Sequence, residues 1–176
     1  SGRVDTSLHP FCGGYSDDIR ITTKFNKNDF FSSFDALMHE TGHALYEFGL
    51  PKMFKNQLIG KAAGMSLHES QSLFLEMQII KTKEFNIFLE NLFRKKFNKS
   101  SLSWKSENLY NKRNNFKKNF IRIEADEVHY PLHIIHRFNV EKKLISEEKL
   151  INFLPDLWNS EFKRIFKMEV RSDNEG

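Results

Sequence analysis

The period of the apolar positions changes near residue 28, and that change sets the expected architecture. Ile19 to Phe25 alternate and are rich in Ile and Thr, the pattern of a half-buried strand. The stretch before it, Cys12 to Asp18, carries Gly13 and Gly14 ahead of Ser and Asp and reads as a loop. Val4 to Leu8 can serve as a partner strand. From Asp29 onward, Phe30, Phe34, Leu37, Met38, Thr41, Leu45 and Phe48 recur at three- and four-residue spacing, which marks an amphipathic helix. Gly49 followed by Pro51 is its stop signal. A second helix is predicted from near Met65 through Leu73, Met77 and Ile80, and a third from Phe85 to Phe97, with a loop from Asn98 to Ser106. The helical pattern resumes at Ser106 and is strongest from Glu124 to Leu144. Pro131 falls inside that run and should kink or divide the helix, because it removes a backbone donor. Pro155 fits the first turn of a last helix that reaches Phe166. The pattern therefore predicts a mainly α fold with a sheet of two or three strands at its N-terminal end.

Composition adds few constraints. At 176 residues the chain suits one domain, and 18 Phe residues supply material for helix-packed cores. The net charge of +4 is too small and too dispersed for a nucleic-acid-binding face. Its surplus gathers around Arg94, Lys95, Lys96, Lys99, Lys105, Lys112, Arg113, Lys117 and Lys118, and reads as a solvated helix face and loop. The single cysteine, Cys12, excludes an intramolecular disulfide and fits a reducing compartment, the cytoplasm. Apolar runs are short and interrupted by charge, so no membrane segment is expected. The first residues carry neither an initiator Met nor a secretory signal, which suggests a processed or excised piece.

The sharpest chemistry is His39-Glu40-Thr41-Gly42-His43. Residues four apart on a helix lie one above the other, so His39 and His43 can present two imidazole nitrogens to one ion at about 2.0–2.1 Å. Glu40 then points beside the ion as a general base. Small residues at Gly42 and Ala44 leave room for another element to approach. The competing reading is two surface histidines with a carboxylate between. A catalytic zinc site takes three protein ligands and keeps one position open. Glu69, 30 residues after His39 and at the start of the second helix, is the candidate third ligand. It also reads as a carboxylate placed by the helix dipole. His68 reads either as a group supporting a ligand or as a substrate contact.

With these residues in view, the chain resembles the carboxypeptidase Taq family of metallocarboxypeptidases. Five short motifs appear in the family's order: His9-Pro10-Phe11; Asp18-Ile19-Arg20-Ile21-Thr22; His39 to His43; His68-Glu69-Ser70-Gln71; and Ile121-Arg122-Ile123-Glu124-Ala125-Asp126. The resemblance implies a zincin-like helical fold and removal of single residues from peptides with a free C-terminus, with broad specificity. It also implies zinc, or cobalt or manganese in some preparations, and a homodimer in the full-length form. On this reading residues 1–176 are one catalytic-core portion: a strand and loop region at 1–27, metal-binding helices at 28–97, and a helical remainder at 98–176. Arg122 matches the motif that implies an anchor for the substrate carboxylate, which guanidinium can hold bidentately. Its plain alternative is an i,i+4 ion pair with Asp126, and Asp126 can also orient it. His9 matches a motif implying a substrate-side contact, or else it is a structural loop histidine. Asp18 and Arg20 fall on one face of a strand and read as a structural ion pair.

Three departures qualify the resemblance. The chain is far shorter than family members and lacks their N-terminal helical region. The motif Gly-x-x-Gln-Asp-x-His-Trp is absent. Leu75 and Met77 stand where polar or aromatic residues are usual. The expectation is a fragment that binds zinc and has weak or no peptidase activity by itself. The alternatives are a non-catalytic zinc-binding remnant that assembles with a partner and, from the metal motif alone, an endopeptidase.

Overall fold

The computed structural model describes residues 4–15 and 17–172. The chain forms two compact units, Ser1–Tyr110 and Asn111–Gly176.

The first unit opens with three strands, β1 (Val4–Thr6), β2 (Cys12–Tyr15) and β3 (Asp18–Thr23), in the order β1-β3-β2. β1 runs parallel to β3 with Val4 opposite Ile21, and β2 runs antiparallel with Gly13 opposite Arg20. The loop expected over Cys12 to Asp18 is thus mostly strand. Its glycines have no intrinsic β preference, and pairing with β3 overrides that deficit. Gly14 shows why a glycine is needed there. It adopts φ +120°, and a Cβ at that position would lie 2.1 Å from the Asp18 carbonyl oxygen.

α1 (Phe30–Gly49) begins where the period changes. The Asp29 carboxylate caps it, accepting from the amides of Phe31 at 3.1 Å and Ser32 at 3.2 Å. The helix packs against β3. Thr23 is fully buried at that junction, and the Ser33 hydroxyl accepts the Asn26 amide at 2.7 Å. The apolar stripe is not wholly internal: Leu45 and Phe48 are about 60% exposed, while Glu40 and Gly42 are buried. The helix turns its chemistry inward and leaves part of its grease outside.

α2 (Met65–Leu73) runs straight into a π-helical segment, Phe74–Ile79. α3 (Lys83–Phe97) is capped by the Thr82 hydroxyl, which accepts the Phe85 amide at 3.2 Å. Leu89 and Phe93 of α3 and Leu109 of α4 (Ser106–Arg113) form the core of this unit, with Phe31, Phe34, Phe85, Leu92 and Trp104 packed around them. Of the basic cluster, Arg94 and Lys105 converge on the Glu90 carboxylate at 2.7 and 3.1 Å.

In the second unit α5 (Tyr130–Ser146) packs on α6 (Leu154–Phe166). Pro131 does not interrupt α5. The helix begins at Tyr130, so the proline occupies its first turn, where a missing N–H costs nothing. The apolar pattern over Glu124 to His129 instead covers a 3₁₀ turn at Arg122–Glu124 and irregular backbone. Phe162 and Phe166 stack at 4.4 Å between ring centroids, and both rings contact His133. No helix among the described residues is long and apolar enough to cross a membrane.

Candidate metal centre

Two helices meet at Gly42. A Cβ there would sit 2.6 Å from the Ser72 Cα and 2.7 Å from the Gln71 carbonyl oxygen, so only glycine lets the backbones of α1 and α2 approach this closely. That approach brings Glu69 of α2 across to the two histidines of α1. One ligand atom from each of His39, His43 and Glu69 lies within 4.8 Å of the others. Glu69 Oε2 is 3.3 Å from His43 Nε2 and 3.7 Å from His39 Nε2. The spacing suits a cation of first-row size: three donors each about 2.0–2.2 Å from a common centre are separated by roughly 3–4 Å. Two imidazoles and a carboxylate are also the donor types zinc takes. The Glu69 side chain is 38% exposed, so the cluster opens to solvent on that side.

The nitrogens turned away from the cluster are held. His39 Nδ1 lies 2.8 Å from Glu76 Oε2, and a carboxylate can only accept, so that nitrogen carries the proton and Nε2 keeps its lone pair for the cluster. His43 Nδ1 lies 3.1 Å from the His68 carbonyl oxygen and 2.6 Å from His68 Nδ1. Glu76 lies on the π segment, and sequence reading passed over it. Glu76 falls seven residues after Glu69, two turns along the same face, and that spacing was available as a signal.

Glu40 is buried beside the cluster. Burial raises its carboxyl above the ordinary range; His39 opposes that, Glu69 adds to it and His9 opposes it. Burial lowers the His43 pKa, helped by His39 and His68, which favours the neutral, metal-ligating form. Burial also pulls His39 down, but the Glu76 hydrogen bond and the neighbouring carboxylates raise it overall. Cys12 on β2 feels Glu40 and Glu47 as well. Burial and those charges push its thiol up to about 11, so it stays protonated and unreactive.

The remaining sequence candidates fall outside the cluster. His9 is exposed in the loop between β1 and β2, and its carbonyl accepts the Ser7 hydroxyl. Asp18 and Arg20 pair on the open face of β3, with the shortest contact 2.6 Å. Arg122 belongs to the second unit and donates to the Tyr130 hydroxyl at 2.6 Å, with its guanidinium 5.5 Å from that ring's centre. The alternative reading of Arg122, a helical ion pair to Asp126, is not formed among the described residues, because the segment is a 3₁₀ turn with a different side-chain geometry. Asp126 instead accepts from the amides of Lys117, Val128 and His129 and from the His129 ring. Burial opposes its charge, but those donors hold its carboxyl below the usual range.

The family model for carboxypeptidase Taq (M32) metallopeptidases matches residues 1–176. The chain belongs to that family. It is similar to carboxypeptidase 1 of Bacillus subtilis, 35% identical over 99% of this chain and 35% of the relative. It is also similar to thermostable carboxypeptidase 1 of Pyrococcus furiosus, 36% identical over 99% of this chain and 35% of the relative. Among solved structures, Trypanosoma cruzi metallocarboxypeptidase 1 matches with a TM-score of 0.89 at 36% identity, covering 99% of this chain and 35% of that one. An M32 carboxypeptidase from Deinococcus radiodurans matches with a TM-score of 0.90 at 30% identity over the same shares. The M32 chain described here therefore spans about 35% of the length of these relatives. Its membership implies a divalent metal and a peptide-hydrolysing ancestry.

Proposed function

We propose that this chain is the metal-binding core of a zinc carboxypeptidase that removes single residues from peptides with a free C-terminus, with broad side-chain tolerance. The observation that carries the reading is the meeting of His39, His43 and Glu69 donors within 4.8 Å, beside a buried Glu40. The ligands are His39 and His43 through Nε2 and Glu69 through its carboxylate. When bound, zinc polarises the scissile carbonyl and acidifies a water molecule. Glu40 takes the proton as that water attacks and delivers it to the departing amine. Its raised pKa suits both halves of that exchange. Cobalt or manganese can fill the same donor set.

Arg122 serves as the anchor for the substrate's terminal carboxylate, an assignment that rests on its motif. Tyr130 fixes its orientation, and Asp126 shapes the adjoining turn. His9 is assigned a substrate-side contact on its motif, His9-Pro10-Phe11. Asp18 and Arg20 are structural. A protonated lone thiol at Cys12 fits the cytoplasm, and assembly as a homodimer belongs to the full-length form.

The coverage of about 35% of each relative favours a second reading, a zinc-binding piece that turns over only when completed by further polypeptide. One experiment separates the two. Release of the C-terminal residue from a short peptide is measured for the 176-residue chain, with and without the complementary segments of a relative. Slow release that rises at least tenfold on complementation supports the proposal. Full activity from the isolated chain removes the need for completion. Equal cleavage of the same peptide bearing a C-terminal amide indicates an endopeptidase. Glu40→Gln should lower hydrolysis by at least about 100-fold while metal affinity stays within a few-fold of the parent.

A further inference from the structure

We propose that Glu47 and His68 are positioning residues that lock the His43 imidazole in its metal-ligating tautomer, through a relay from one helix to the next and back. The proposal rests on the metal-centre reading above and concerns groups that do not touch the ion.

The two histidine ligands are held differently. His39 meets a carboxylate directly, through Glu76. His43 meets another imidazole: its Nδ1 is 2.6 Å from His68 Nδ1. The far nitrogen of His68, Nε2, is 2.8 Å from Glu47 Oε1. The two His68 ring contacts, with the His68 carbonyl oxygen 3.1 Å from the same His43 Nδ1, fix the protons by elimination. A carboxylate oxygen accepts only, so His68 Nε2 carries a hydrogen and donates to Glu47. In that tautomer His68 Nδ1 offers a lone pair to its neighbour. Two nitrogens 2.6 Å apart need one proton between them, so His43 Nδ1 supplies it. The His43 Nε2 lone pair is left facing Glu69, 3.3 Å away, where the metal belongs. The negative charge of Glu47 thus reaches the ligand through an intervening ring, as carboxylate–histidine pairs do directly in many zinc sites.

Local structure places the relay. Glu47 is four residues after His43, on the same face of α1, and His68 enters from α2 between them. The Tyr46 ring packs edge-on against His68 at 5.2 Å, which fixes its tilt. The His68 side chain is only 16% exposed, and both of its ring nitrogens are engaged, so neither remains for a substrate. The relay also closes a ring of contacts across the α1–α2 junction, so the tautomer and the helix spacing support each other.

The test is zinc affinity of the 176-residue chain, measured by competition with a chromophoric chelator, for the parent, Glu47→Gln, His68→Phe and the double variant. Metal-free helicity and unfolding midpoint are followed in parallel. The His68 backbone carbonyl still accepts from His43 in every variant, so the losses should be partial: about 10-fold for each single change, within the range for groups that support ligands. Because both residues act through one chain of hydrogen bonds, the double variant should lose no more than His68→Phe. Cobalt-loaded variants should keep the parent's visible spectrum in form at higher metal concentration. Unchanged affinity in a folded Glu47→Gln overturns the relay, as do losses that multiply in the double variant. If His68→Phe fails to fold, Glu47→Gln decides alone, since Glu47 is partly exposed and keeps its shape. A parent chain that binds no zinc overturns the metal centre and the relay together. Normal parent binding with unaltered variants overturns only the relay.

Discussion

At the scale of single residues, Gly42 and Glu76 set how closely the three candidate donors are held together. Gly42→Ala would gain about 1 kcal/mol of helix propensity, but the added methyl would overlap backbone on α2. Relieving that overlap costs about 1–3 kcal/mol and drives Glu69 away from the histidines. The expected result is a lower urea midpoint together with weaker zinc binding, whereas a pure propensity effect would raise the midpoint. Glu76→Gln keeps the shape and removes the charge behind His39. Zinc affinity should fall about 10-fold with little change in the metal-free fold, read by the same chelator competition. The placement of His39 and His43 one turn apart was legible because their spacing needs a helix and the apolar period supplies one. Glu69 followed because a third donor was required. Glu47 and Glu76 were not sought, although Glu47 stands four residues from His43, because nothing in composition separates a supporting carboxylate from a solvated one. For Arg122 only the alternative reading gives way: an i,i+4 pairing with Asp126 presumes a helix, and its segment is a single 3₁₀ turn.

At the scale of elements, the helices were readable and the ribbon of strands only in part. Length and period identify α1 and α3, while β2 hides behind Gly13 and Gly14 because its pairing energy comes from β3 rather than from its own residues. The π segment was invisible, since it repeats helical composition with one residue more per turn. The pairing of α5 with α6 makes acid sensitivity specific. Glu161 is buried and accepts from Arg164, Lys143 and Asn139, which hold its pKa down at about 2. A carboxyl lowered on folding contributes stability above its unfolded pKa, and that contribution is lost as pH falls from about 4.5 towards 2. His133 and His136 act in an earlier window. Burial lowers both pKa values, so the unfolded chain takes up protons first and stability declines as pH falls below about 6.5. Urea midpoints followed on α5 and α6 should therefore fall in two stages. Glu161→Gln should shrink the lower stage, which Asp126 shares, at a cost of roughly 1 kcal/mol at neutral pH, modest because Arg164 and Lys143 are half exposed.

At the scale of the whole molecule, the candidate donors His39, His43 and Glu69 all lie in the first compact unit. Zinc that binds only the native form should stabilise that unit by about 2.7 kcal/mol at 100 times its Kd. Hydrogen exchange read by mass spectrometry should show new protection in α1 and α2 on adding zinc, reversed by a chelator, with α5 and α6 unchanged. Equal protection in both units would mean that they open together. The family and the mainly helical class were within reach of the sequence because five motifs keep their order along it. The division at Tyr110 was not, since it falls inside α4, where no glycine, proline or break in period marks it.

The candidate donors His39, His43 and Glu69, and the proposed supporting groups Glu47, His68 and Glu76, lie between His39 and Glu76. Closing so short a loop carries a small entropic penalty, and the penalty grows only slowly with length. A cation can therefore draw α1 and α2 together before the sheet or the second unit has organised. On the proposed metal-centre reading the ion would also nucleate refolding, and refolding started in zinc should form this helical pair earlier than refolding started without it.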